Sequence, residues 1–126
     1  MRPGAALAAL LALAGANAVA CGVCIEDKVA ATYDHAVIER AVGAGRVVVF
    51  AEVRSPQPAK DAVRAARRGA SGVRGVDPAS VRGAEEPAAL SFSLDARVRT
   101  PAQALVAAQA AARSPGLELR LLKVLP

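Results

Sequence analysis

Aromatic residues are almost absent from this chain of 126 residues: Phe50, Phe92 and Tyr33 are the only three, and there is no tryptophan. A core must therefore be assembled from Val, Leu and Ala, which in a domain this small leaves a thin margin of stability. The same lack argues against nucleic acid as a partner. The formal charge of +5 is spread along the chain, without the aromatic platforms on which bases stack. Histidine occurs once, at His35, and cysteine twice, at Cys21 and Cys24. No Ser/His/Asp arrangement, phosphate loop or His-Glu-x-x-His run occurs, and no paired carboxylates suggest acid–base work. The expectation is a binding protein rather than an enzyme.

A long hydrophobic run is also missing. Ala5 to Ala14 is apolar throughout but falls short of the ~20 residues that span a bilayer. With Arg2 before it, Gly15 breaking it, and two small-x-small sites after it (Ala16-Asn17-Ala18 and Ala18-Val19-Ala20), the stretch 1–20 reads as an export signal. Its removal takes Arg2 away and leaves 15 Lys and Arg against 11 Asp and Glu, or +4. That mild excess favours an anionic membrane surface or an acidic partner. Export puts the cysteines in an oxidising compartment. The Ala- and Arg-rich composition is that of a high-GC bacterium, which makes the compartment the periplasm.

What the chain does have is Cys21-Gly-Val-Cys24, at the start of a helix. Three chemistries fit such a pair. It is a thiol–disulfide couple with one thiolate favoured by the helix N-terminus. It is half of a soft-metal site, where two thiolates suffice for linear Cu(I) but leave tetrahedral zinc short of two ligands. Or it is an inert disulfide. Lys28, one turn on, adds to the positive field if it folds back. Cys21 directly after the small residues also fits a lipidation site, although Ala18 stands where such sites usually carry Leu. A lipidated Cys21 has its sulfur in a thioether and neither pairs with Cys24 nor binds metal. Contact with a membrane follows only in that case. A thioredoxin-type enzyme is disfavoured, because its pair follows a first strand and this one precedes every strand.

A helix over 25–42 is predicted from Ile25, Val29, Tyr33, Val37 and Ala41, with Glu26 and Asp27 in its first turn. On such a continuous helix Cys24 and His35 share a face but lie about 16 Å apart along the axis, so His35 is an ordinary surface histidine rather than a third ligand. Val47–Val53 is a buried strand and 59–68 a helix whose outer face is Lys60, Arg64, Arg67 and Arg68. That face is a solvated surface or a docking site for a partner protein. A weaker strand is expected over 73–81, with Pro78 at an edge or bulge, and a connection over 82–87. Residues 89–95 alternate, Leu90, Phe92 and Leu94 inward and Ser91 and Ser93 outward. Thr100-Pro101 starts a helix through Arg113 with Leu105 and Val106 inward, and the last strand, 117–124, alternates through Leu117, Leu119 and Leu121.

The order strand, helix, strand, strand, helix, strand is the split βαβ pattern. It predicts an α+β, ferredoxin-like βαββαβ sandwich over 46–126, preceded by the cysteine pair and amphipathic helix over 21–45 and the signal over 1–20. In element order, in Gly72-Val-Arg-Gly-Val76, in Phe92-Ser-Leu-Asp95 and in Thr100-Pro-Ala-Gln-Ala-Leu-Val-Ala-Ala108, the region 47–124 resembles a heavy-metal-associated domain, the small fold of copper chaperones. That family carries a Cys-x-x-Cys between its first strand and first helix. Here Arg54-Ser-Pro-Gln-Pro58 stands there, so the resemblance implies the fold and not the metal loop. The metal expectation rests on Cys21 and Cys24, with Cu(I) as cargo. The alternatives are a thiol-redox accessory protein and a lipidated structural or interaction module.

Overall fold

The computed structural model describes residues 24–126. The signal reading over 1–20 and Cys21 lie outside them. The elements are α1 (Ile25–Thr32), α2 (His35–Gly43), β1 (Val47–Arg54), α3 (Ala59–Ser71), β2 (Arg82–Glu85), β3 (Ala88–Leu94), α4 (Pro101–Ala112) and β4 (Glu118–Leu125), with a 3-10 turn at Pro78–Ser80. The described residues are α+β, with four helices and one four-stranded sheet in the order β2-β3-β1-β4. Every pairing is antiparallel. As the apolar run at 47–53 predicts, β1 is central, and it pairs with β3 from Val47 opposite Leu94 to Glu52 opposite Ala89.

The sheet is covered on both faces, which is why β1 is apolar almost throughout. Val49, Ala51 and Val53 with Leu90, Phe92 and Leu94 face α3 and α4, and form the larger core with Ala66, Leu105 and Leu119. Val48 and Phe50 point the other way, against Val37 and Ala41 of α2. Glycine decides two close approaches. A Cβ on Gly69 would stand 2.3 Å from the Ala108 carbonyl oxygen, so α3 crosses α4 there only because the side chain is missing. A Cβ on Gly83 would meet Val63 and Arg67 at 2.7 Å, which seats β2 under α3.

Several expectations change. The helix over 25–42 is two helices, broken at Tyr33, whose backbone is extended. Asp34 caps α2, its carboxylate accepting from the Ala36 and Val37 amides. Ser91 Oγ donates to the Thr32 carbonyl at 3.2 Å, which replaces a helical partner at the break. No strand forms over 73–81. Pro78 has no amide to give a ladder, and Asp77 caps a 3-10 turn instead by accepting from Ala79. The strand is β2, in the stretch expected to be a connection, and it turns into β3 through a cis Glu86–Pro87 peptide. Ser91 and Ser93 are buried rather than outward, because α1 and α2 cover their face. Val106 is 71% exposed, not core, since α4 turns Ala104, Leu105 and Ala108 inward. Leu121 is exposed beside a register shift at Phe50/Ala51.

Candidate functional site

Cys24 is the N-cap residue of α1, with extended backbone and no capping bond from its side chain. Among the described residues its thiol has no disulfide partner, and it is half-buried. Sγ lies 3.7 Å from a Glu26 carboxylate oxygen and 3.9 Å from one of Asp27. The sulfur thus stands at the positive end of a helix, where first-turn acids also gather for the same electrostatic reason. Lys28 does not fold back toward it. Its ammonium is held 3.0 Å from Glu52 of β1, a partly buried pair that ties α1 to the sheet.

His35 begins α2 and is not on the helix of Cys24, so the single-helix spacing does not describe their separation. It is exposed, and its Nε2 lies 3.1 Å from Glu39 one turn on. Among the described residues, no group of three or more His, Cys, Asp or Glu is placed to hold a metal ion. The donor set that can be assembled around Cys24 is therefore sulfur with carboxylate, plus whatever Cys21 brings.

The basic face of α3 is partly committed. Arg68 donates to the Ala112 carbonyl at 2.8 Å, bracing α4, and the Arg67 stem lies over Gly83. Lys60 and Arg64 stay in solvent. Arg46, half-buried after α2, donates to Ser93 Oγ at 3.1 Å and to the Gly75 carbonyl at 2.6 Å, closing the seam between α2 and the sheet.

An open groove of about 770 Å³ lies along the outside of α4, lined there by Ala102, Gln103, Val106 and Ala110, with Val98 beside them. Arg74, Arg97 and Arg99 stand around it. Arg97 is fixed by Asp95 through two bonds of 3.0 and 3.1 Å. The Arg97 guanidinium holds the Asp95 carboxyl below its usual range, and the carboxylate raises Arg97 in turn. Arg99 Nε donates to the Arg74 carbonyl at 3.1 Å. Sequence reading missed this groove because Val106 looks like a core residue. The available signal is that α4, alone among the four described helices, contains no charged residue.

Searches of protein families, characterised proteins and solved structures find no match to this chain.

Proposed function

We propose that the protein is a small exported binding protein that holds one soft metal ion, Cu(I), between the thiolates of Cys21 and Cys24. The observation that carries this reading is the Cys24 thiol: reachable, at a helix N-terminus, and without a capping bond or, among the described residues, a disulfide partner. A structural cysteine of this size is ordinarily buried and inert. Binding displaces two thiol protons and forms two Cu–S bonds, leaving a complex of charge −1 that the α1 amide dipoles favour. In the same reading residues 46–126 are a ferredoxin-like sandwich, a degenerate heavy-metal-associated domain. The support is the β-α-β-β-α-β order, the strand order β2-β3-β1-β4, and α3 and α4 packed on one face.

Titrating the reduced full chain with Cu(I) under anaerobic conditions tests the reading. Wild type and His35→Ala should each bind one ion per chain. Cys21→Ser and Cys24→Ser should each lose it. Equal binding by wild type and Cys24→Ser would sink the metal assignment and leave the lipidated module. A pair that stays oxidised and takes copper only after reduction would favour the thiol-redox alternative.

A further inference from the structure

α4 is a surface helix without a polar face. Ala102, Val106, Ala110 and Ala111 are exposed, and its only exposed polar side chains inside the helix are Gln103 and Gln109. A helix that is apolar nearly all round is normally covered on every side. Here the outer side is bare, Val106 is 71% and Val98 42% exposed, and three arginines line the groove, of which Arg97 is paired with Asp95 while Arg74 and Arg99 have no ion-pair partner among the described residues. Val98 and Val106 form a small apolar strip with unpaired positive charge beside it, the combination that suits an amphipathic surface.

We propose that this face of α4 docks on an anionic lipid surface, with Val98 and Val106 entering the headgroup layer and Arg74 and Arg99 meeting phosphodiester groups. Charge selects the occupant. A second copy of the chain would bring two arginine rims together and repel. Nucleic acid would set its phosphates against an apolar floor and find no aromatic side chain to stack on. A lipid surface offers both halves, acyl carbon under the valines and phosphate at their edge, and guanidinium suits phosphate by its forked donors. Arg99 is pre-positioned by the Arg74 carbonyl, so little of its side-chain freedom is lost on contact, while Arg97 stays with Asp95. Arg74 has no ion-pair partner among the described residues.

The absence of tryptophan supplies a clean probe. Val106→Trp places a single reporter in the groove and Val42→Trp places one on α2, across the sheet, both at exposed positions. With full-length chain and vesicles of phosphatidylglycerol and phosphatidylcholine, Val106→Trp emission should shift to the blue and be quenched by brominated acyl chains, while Val42→Trp stays unchanged. The mature chain, without the apolar stretch 1–20, should show the same difference. Adding Arg74→Glu, a change of two charge units, should weaken partition about 30-fold at ~1 kcal/mol per charge near such a surface. Co-sedimentation of the chain without tryptophan should show the same loss and fall with salt. Equal shifts on phosphatidylcholine alone, equal shifts for both reporters, or no partition would overturn the proposal. So would a reporter that responds to polyglutamate and not to vesicles, which would assign the face to an acidic protein.

Discussion

Thr32 ends α1 with its hydroxyl buried and, among the described residues, without a hydrogen-bond partner. A buried donor left unmade costs about 1–3 kcal/mol, and Thr32→Val keeps the shape while removing it. The variant should be more stable by about 1 kcal/mol in urea unfolding, and a loss of stability would mean that the hydroxyl has a partner. The neighbouring backbone carbonyl has one, in the Ser91 hydroxyl. Phe92 stands at the centre of the larger core with no exposed surface. Phe92→Ala should cost roughly 3–5 kcal/mol, and a cost below 1 kcal/mol would contradict its place there. The side-chain alternation of β3 was legible in the sequence, since Leu90, Phe92 and Leu94 are all buried on one face. What alternation cannot reveal is a second layer over the other face. Serine looks like a solvent residue until a helix is laid on it, as α1 and α2 are laid over Ser91 and Ser93.

Asp34 joins three elements. It caps α2, breaks the chain from α1, and accepts from Arg82 Nε of β2 at 3.0 Å. Those bonds hold its carboxyl below the usual carboxylate range, the Arg82 hydrogen bond first and the Val37 amide second. A lowered folded value means that the carboxylate stabilises the fold above the unfolded value, near pH ~3.9, and that this contribution is lost as pH falls through the folded value. Thermal unfolding should therefore show wild type losing part of its advantage over Asp34→Asn as pH drops below the ordinary carboxylate range. An advantage that does not change with pH would deny the ion pair and the cap their role. The break was hidden from periodicity because Ile25, Val29, Tyr33, Val37 and Ala41 keep a four-residue repeat straight through it. Likewise β2 was read one segment early. Val73, Val76 and Val81 supply β-branched residues, but Pro78 and the Asp77 cap make a turn of that stretch. The strand that forms, Arg82-Gly-Ala-Glu85, is short and depends on Gly83 fitting against α3.

Across the molecule, three layers follow from one short apolar strand buried on both sides, with α3 and α4 beneath it and α1 and α2 above. Most of the lower layer could be read from spacing: Thr100 caps α4 with Pro101 after it, as expected of a helix start, and Gln103 completes a capping box there, while β1 lies where its run of β-branched residues put it. The upper layer and the groove on α4 could not, because both depend on which faces other elements cover. The layering puts the half-exposed Cys24 thiol at the start of the upper layer, one turn before the Lys28–Glu52 pair that ties α1 to the sheet. The central claim, an exported chain whose two cysteines hold Cu(I), meets its most direct test in the intact mass of the protein recovered from the exported fraction, reduced and offered one equivalent of Cu(I). The expected species is a chain beginning at residue 19 or 21, without lipid, carrying one copper in place of two protons. A full-length cytosolic chain, an added diacylglyceryl thioether, or a mass two hydrogens short that takes no copper after reduction would contradict it.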